Sequence, residues 1–317
     1  MKQPAPARPG SEVLVSVIVP CYRLARYLPA MAESVIAQEY RTWECIIVND
    51  GSPDETRAIA TDLVRRDSRI RYVEQENGGP GSARNRGLAH AQGRFVKFLD
   101  ADDLLLPEAL RVEVEAARDV AARSVVISDY WLMDETGRMF ENVMCSPEFR
   151  LETPLTDMVL RWETELSIPP HAFLFDAWFF REAGVRFGEA LPLLGHEDWD
   201  CWTQVFLLNP IIRRIRAKLA IYRVRADSVS RDEERNWRGF RHAIDLRIKA
   251  CSGDTTLRRM LTYKRKLTDD FYGKTWRVRV LGRLRRSQWF GTAVPRWLQQ
   301  TVYRRLDLHD LRAHGWR

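Results

Sequence analysis

The stretch Phe98-Leu99-Asp100-Ala101-Asp102-Asp103 decides how the chain is read. It follows Gly93-Arg94-Phe95-Val96-Lys97, a short β-prone run that predicts a buried strand. Three carboxylates therefore crowd the carboxyl end of that strand. Asp100 and Asp102 lie two positions apart and in extended chain project to one side. Charges so close repel each other unless a cation lies between them. Oxygen-only ligands on a short acidic loop suit a hard divalent ion such as Mg2+ or Mn2+, held by a few carboxylates together with substrate phosphates. The pattern predicts a metal–diphosphate site at the end of a strand. The six residues alone leave open a plainer alternative, an acidic turn capping the helix that begins near Pro107.

Upstream of this loop, strand and helix patterns alternate. Val13–Pro20 is a continuous β-branched run, Trp43–Val48 a second buried strand, and Arg69–Glu74 a third. Helical spacing appears over Arg26–Gln38, Pro53–Arg66 and Ser82–Ala91, with Asn77-Gly78-Gly79-Pro80-Gly81 read as a turn. Such alternation over about 90 residues implies right-handed crossovers and a mostly parallel sheet. Ligands of such sheets bind outside the carboxyl ends of the strands. Three strands end in polar clusters there: Pro20-Cys21-Tyr22, Asn49-Asp50-Gly51, and Asp100 to Asp103. Side by side they form the rim of a nucleotide cleft. Downstream, Pro107–Ala122 predicts a helix, Ser124–Met133 a strand, Trp178–Ala183 a short helix, and Gly195 to about Leu208 an amphipathic helix. Ile211–Tyr222 is strand-like, and 233–306 reads as helices dense in Arg and Trp.

Bulk properties narrow the function classes. With 317 residues, 45% of them hydrophobic, the chain accommodates one large domain and an appendage. Five scattered cysteines (Cys21, Cys45, Cys145, Cys201, Cys251) show no CxxC spacing, which fits a reducing compartment. Met1–Gly10 is Pro-rich without the apolar core of a signal peptide, and no run reaches the roughly 18–20 apolar residues of a membrane span. These features predict a cytoplasmic protein whose membrane contact, if any, is peripheral. The formal charge of +7 is uneven: residues 232–317 carry a net +12 and residues 1–231 a net −5. Residues 283–306 mix Arg with Trp, Phe, Leu and Tyr, a pattern for docking on an anionic membrane surface. A basic face covering the catalytic domain, or an oligomer contact, is the other reading. No nucleic-acid motif is present.

The ordered set Val17-Ile18-Val19-Pro20-Cys21-Tyr22, Val48-Asn49-Asp50-Gly51-Ser52, Asn77-Gly78-Gly79, Ala83-Arg84-Asn85-Arg86-Gly87, Asp100-Ala101-Asp102-Asp103 and Glu197-Asp198-Trp199 resembles the family 2 glycosyltransferases, inverting enzymes of the GT-A fold. The resemblance spans about residues 14–225. It implies an α/β Rossmann-like fold with a helical C-terminal extension. Residues 1–11 would form a disordered tail and 12–231 the GT-A domain, with a nucleotide half to about 123 and an acceptor half from about 124. Residues 232–317 would form a basic helical region. The resemblance also implies a nucleotide-sugar donor, most often UDP-linked, with Mn2+ or Mg2+, and a saccharide or lipid-linked acceptor in surface polysaccharide or glycolipid assembly at the inner face of the membrane.

Residue roles follow from the same resemblance. Asp50 matches the acidic residue facing the base, Pro20 and Tyr22 the nucleoside pocket, and Arg84 a basic residue of the nucleotide site. Asp102 matches the direct metal ligand, while Asp100 would reach the ribose or a metal-bound water. Asp54 is expected only to start a helix, and Asp103 to orient the loop. Inversion is a single displacement, so the attacking hydroxyl must lose its proton to a nearby carboxylate. The resemblance points to Asp198 as that base, with Glu197 in support, and leaves the reverse assignment open. Trp199 is expected at the acceptor, with core filling as the alternative. Arg225 stands where many relatives carry a His near the diphosphate; it can pair with phosphate but cannot ligate a metal. Two further readings stay on the table: a nucleotidyl- or other group transferase, and a non-catalytic nucleotide-sugar-binding protein at the membrane.

Overall fold

The computed structural model describes residues 13–120, 122–141, 149–162, 166, 168–189, 195–226, 233–251 and 253–286. The N-terminal tail and most of the Arg/Trp-rich stretch 283–306 fall outside the described residues.

The first half is built as the β-branched runs dictate. Strands β1 (Val15–Cys21), β2 (Trp43–Asp50), β3 (Ile70–Gln75) and β4 (Phe95–Phe98) lie parallel in the order β3-β2-β1-β4. Helices α1 (Leu28–Ile36), α2 (Thr56–Arg66) and α3 (Gly79–His90) make the crossovers. The register aligns the carboxyl ends: Cys21 faces Asn49, Asp50 faces Gln75, and Ile18 faces Phe98. The Leu99 N–H still bonds the Ile18 carbonyl at 3.0 Å, so the ladder runs to the edge of the acidic loop.

The second half mixes directions. Strand β5 (Leu104–Leu105) leaves the acidic loop, and α4 (Ala109–Ala117) leads to β6 (Ser124–Met133), which the short β7 (Met139–Glu141) pairs. Helix α5 (Pro154–Thr156) and a π-helical turn at Asp157–Arg161 precede β8 (Phe173–Asp176) and α6 (Trp178–Arg181). Then come α7 (Glu197–Leu207), β9 (Ile211–Arg223), α8 (Glu233–Ala250) and α9 (Thr255–Arg286). β8 slots antiparallel between β4 and β6, β9 runs parallel to β6, and β5 pairs antiparallel with the end of β9. Among the described residues this gives one nine-stranded sheet, parallel in its first four strands and mixed beyond them.

Side-chain alternation along the strands divides the interior in two. Val15, Val17, Val19, Phe95, Leu99, Val126 and Leu174 face α1, α2 and α4. Ile18, Val96, Phe98, Val125, Ile127, Phe173 and Phe175 face the other way, against Trp199, Trp202 and Phe206 of α7. Phe240, Ala243 and Ile244 of α8 and Leu257, Met260 and Leu261 of α9 belong to that same core. The shift to positive charge at 232 therefore does not coincide with a break in packing. Lys264, 1% exposed, points its ammonium at the Leu160 and Trp162 carbonyls that end the π-helical turn.

Candidate active site

One cleft of about 740 Å³ runs along the carboxyl edge of the parallel strands and beneath the start of α7. Pro20 and Tyr22 after β1, Asp50 at the end of β2, Arg84 on α3, and Asp100 and Asp102 after β4 line one side. Glu197 and Asp198 come to it from the first turn of α7, and Arg225 from just beyond β9. Of the residues singled out in sequence, these nine share one cavity. A tenth does not. Trp199, expected at the acceptor, is 0% exposed, donates its indole N–H to the Met158 carbonyl at 2.8 Å and stands edge-on to Phe240. The physical reason is helical phase: Asp198 faces the cleft, and the next position, about 100° around the helix, faces the core.

Asp50 is 2% exposed. Oδ1 accepts from Gly78 N–H at 2.8 Å and from the Gln75 amide at 2.8 Å, and Oδ2 from Gly79 N–H at 2.9 Å. The carboxylate thus anchors the entry to α3 and retains acceptor capacity for one further donor. The glycines there are not all turn residues. Gly79 adopts φ +86°, but Gly81 sits inside α3, where a Cβ would lie 2.4 Å from the Gly188 carbonyl oxygen and 3.4 Å from Glu197 Cγ. Its need is close approach.

Arg84 is the hub of the site. Buried at 4% exposure, it donates Nη1–H to Glu197 Oε1 at 2.7 Å and Nη2–H to Asp100 Oδ1 at 2.8 Å. Burial alone would lower its affinity for the proton, but the Asp100 and Glu197 carboxylates outweigh that and raise it. Glu197 is fully engaged, since its Oε2 accepts Gly195 N–H at 2.9 Å. Asp198 is half-buried and accepts the Trp199 N–H at 2.6 Å. Of the two acidic neighbours, Glu197 is a strut and Asp198 presents its carboxylate to the cleft.

The acidic loop is braced from beneath. Asp103 is buried, accepts Arg223 N–H at 2.8 Å and lies 2.8 Å from His171 Nδ1. Burial pushes the His171 imidazole down to about 3 and, with the Asp100 charge, the Asp103 carboxyl well up. Asp54, as expected, organises a helix start: it accepts Thr56 Oγ1–H and N–H and reaches back to Ala25 N–H. Asp102 forms an ion pair with Arg225, Nε to Oδ2 at 2.7 Å. Burial, then Asp103 and Asp100, raise the Asp102 carboxyl to about 7 against the pull of Arg225.

The donor set fits a divalent ion of the phosphate-sharing kind. Among the described residues no three His, Cys, Asp or Glu side chains converge as a protein-only metal cage. What is present is a pair of cleft-lining carboxylates, Asp100 and Asp102, and burial, with the neighbouring Asp103 and Asp100 charges, holds Asp102 well above its ordinary range. One or two carboxylates with phosphates completing the shell is a usual arrangement for such ions.

Sequence reasoning did not anticipate the far wall of the cleft, formed by Tyr130 and Leu132 of β6, Trp162 and Ile168, and Tyr222 of β9. Nor did it find β5, whose two residues give no periodicity, or β8, a Phe-Leu-Phe-Asp run too short to separate from loop. Both decide which side chains meet the acidic loop.

Comparison with known proteins agrees with this arrangement. The family described as "Glycosyl transferase family 2" matches residues 16–179. An uncharacterized glycosyltransferase of Rickettsia conorii is 34% identical over 201 residues, 62% of this chain and 32% of that protein. Glycosyltransferase GlyG of Streptococcus pneumoniae is 28% identical over 248 residues, 75% of this chain and 80% of its own. The chain thus spans about a third of the length of the Rickettsia conorii, Rickettsia bellii and Rickettsia felis relatives it matches. In structure, S. aureus TarS 1-349 in complex with UDP-GlcNAc superposes with a TM-score of 0.62 at 20% identity, covering 81% of this chain and 73% of TarS. The Pyrobaculum calidifontis mannosyltransferase PcManGT in complex with GDP-Man and Mn2+ gives 0.60 at 16% identity, covering 96% and 83%. These likenesses are of fold, and the fold is GT-A. With more than half of the sequence inside the family match and its motifs gathered on one cleft, the chain belongs to glycosyl transferase family 2.

Proposed function

We propose that the chain is an inverting glycosyltransferase that moves a sugar from a nucleotide-diphosphate donor, a UDP-sugar first among the candidates, to a saccharide or lipid-linked acceptor. One observation carries this reading: a single cleft gathers Asp50, Arg84, Asp100 and Asp102 from the parallel-sheet edge and Asp198 from α7. The solved neighbours hold UDP-GlcNAc or GDP-Man with Mn2+, which supports a nucleotide-sugar donor and a divalent ion.

In this reading Pro20 and Tyr22 receive the nucleoside and Asp50 takes one donor from the base. Asp102 and Asp100 would hold Mg2+ or Mn2+, which supplies charge neutralisation at the departing diphosphate. Arg225 adds a second positive charge near it. The acceptor hydroxyl attacks the anomeric carbon from the face opposite the diphosphate. A C–O bond forms as the bond to the diphosphate oxygen breaks, the electron pair leaves with the diphosphate, and the hydroxyl proton passes to Asp198. Arg84 and Glu197 position α7, and the wall of Tyr130, Trp162 and Tyr222 offers apolar faces to an acceptor.

The deciding experiment presents the protein with a panel of nucleotide sugars, Mn2+ or Mg2+ and no acceptor, and follows slow release of nucleoside diphosphate. Release of sugar 1-phosphate instead would indicate a nucleotidyl transferase, and binding without turnover a non-catalytic protein. Asp198→Asn is expected to lower turnover by about 10²–10⁴-fold while donor affinity stays within about twofold. Equal loss of both would move Asp198 out of the base role.

No described helix is long and apolar enough to cross a membrane. The mix of Arg with Trp, Phe and Tyr in residues 283–306 supports a peripheral contact of that stretch with the inner face of an anionic membrane. A chain truncated before 283 should then lose sedimentation with anionic liposomes, and unchanged sedimentation would remove that placement.

A further inference from the structure

The register of β5 against β9 fixes what faces the acidic loop. Leu104 pairs with Ile221 and Leu105 with Ala220, antiparallel, so the residues before β5 run beside those that follow Tyr222. Arg223 donates its backbone N–H to Asp103 at 2.8 Å and its Nε–H to the Asp102 carbonyl at 2.9 Å. Two positions on, Arg225 Nε lies 2.7 Å from Asp102 Oδ2, the two side chains being 12% and 13% exposed. Tyr27 backs the pair, with the Arg223 and Arg225 guanidinium carbons 5.0 and 5.6 Å from its ring centroid. A cation is thus braced by its own strand and by an aromatic face against the carboxylate that would receive a metal ion.

We propose that Arg225 is a latch on Asp102: in the donor-free protein it occupies the metal-ligating carboxylate, and it yields that carboxylate when a nucleotide diphosphate offers it other oxygens. The proposal rests on reading the cleft as a nucleotide-diphosphate site. A guanidinium and a divalent cation repel each other across one partly buried carboxylate, so an ion arriving alone must displace Arg225 from it. A diphosphate changes the balance, because it brings several anionic oxygens in a geometry that a guanidinium fork matches. Arg225 then exchanges one anion for another while the carboxylate is freed. No covalent bond changes. Linkage makes the effect reciprocal: the nucleotide must raise metal affinity by the same factor as the metal raises nucleotide affinity. A His in the same place, able to ligate, would not set this condition; an arginine does.

The test measures Mn2+ alone by the electron paramagnetic resonance signal of the free ion, on the full chain, with and without UDP or GDP. Wild type should bind Mn2+ at least tenfold more weakly without nucleotide than with it. Arg225→Met should bind Mn2+ alone at least tenfold more tightly than wild type and gain less from nucleotide than wild type does, and Arg225→Lys should fall back toward wild type. Circular dichroism checks the fold, and Arg225→Gln replaces the Met variant if that one unfolds. Equal Mn2+ affinity of wild type and the neutral variant, without nucleotide, overturns the latch. A gain in the neutral variant, with wild type indifferent to both nucleotides, keeps the latch on the carboxylate and overturns the nucleotide reading instead.

Discussion

Arg84 Nη1 lies 2.7 Å from Glu197 Oε1, joining residues 113 positions apart in the chain. The other arm of the same guanidinium holds Asp100. One buried side chain therefore ties the acidic loop to the helix that carries Asp198, and the distance between the two halves of the site depends on it.

Removing that tie should be costly. Arg84→Met leaves the Glu197 carboxylate buried without its cation, and breaking one partner of such a pair typically costs about 3–5 kcal/mol. Arg84→Lys keeps the charge but loses the two-armed geometry, so it should fall between. Urea unfolding measures both. The double variant Arg84→Met/Glu197→Gln should recover part of the loss; strict additivity of the two single changes would show that the pair is not coupled.

Glu197→Gln and Asp198→Asn should separate by phenotype. The first weakens a strut that also holds Gly195, so it should lower the melting temperature and reduce turnover about tenfold through misplacement. The second touches a half-buried carboxylate at the cleft and should leave the melting temperature nearly unchanged while removing turnover. Parallel melting curves and donor-turnover assays decide, and the reverse pattern would hand the base role to Glu197.

The contrast between Arg84 and Arg225 shows how far sequence carries. The parallel strands were legible because β-branched runs buried on both faces leave no other reading, and their carboxyl ends carried the polar clusters directly. That Glu197 faces Arg84 while Asp198 faces the cleft was not legible. Adjacent carboxylates on a helix differ only in phase, and phase is set by Trp199 and Trp202 locking into the aromatic core. Arg225 could be matched to a position but not to a partner, because the β5–β9 pairing that sets it beside Asp102 involves only two residues of β5. The roles of α8 and α9 were hidden for a different reason: their charge dominates the composition, while Phe240, Ala243, Ile244 and Leu261 do the packing.

Gly81→Ala tests the close approach of α3 to the backbone at Gly188 and to the first turn of α7. A methyl group there would meet the Gly188 carbonyl oxygen at 2.4 Å, and that oxygen belongs to backbone, which cannot swing away. Overpacking of this kind costs about 1–3 kcal/mol. Because Glu197 Cγ is the next neighbour at 3.4 Å, turnover should fall with stability. An unchanged unfolding midpoint would mean the helix and the 188 segment are free to separate.

His196 should make the fold acid-sensitive. The ring is 2% exposed and stacked on Phe240 at 4.6 Å. Burial, helped by the Lys264 charge and opposed by the Asn236 backbone, lowers its pKa from 6.5 to about 4. Between those values the unfolded chain takes up a proton that the folded chain refuses. The contribution to stability is thus full above pH 6.5 and is lost as pH falls to about 4, a change of about 3 kcal/mol. Comparing the unfolding free energy of wild type and His196→Gln across that window separates the imidazole's contribution from that of the carboxylates. A difference between them that does not vary with pH would refute it.

Lys97 and Glu113 offer the sharpest test of the interior. Both are fully buried, Lys97 on β4 and Glu113 on α4, with Nζ 2.8 and 2.7 Å from the two carboxylate oxygens and Ser128 Oγ–H donated to Oε1 at 2.9 Å. Burial lowers the lysine's hold on its proton, and Glu113 opposes that only in part. Lys97→Met alone strands the carboxylate, with an expected cost of about 3–5 kcal/mol, and Glu113→Leu alone strands the ammonium at similar cost. The double variant replaces both with apolar groups of comparable size, so it should return to within about 1–2 kcal/mol of wild type, with the Ser128 Oγ–H left to the Ala172 carbonyl 3.3 Å away. Chemical denaturation of the four proteins completes the cycle. If the double variant is as unstable as the sum of the singles, the pair is not the unit that holds α4 to the sheet, and the packing of Val114 and Leu110 around it must carry that role instead.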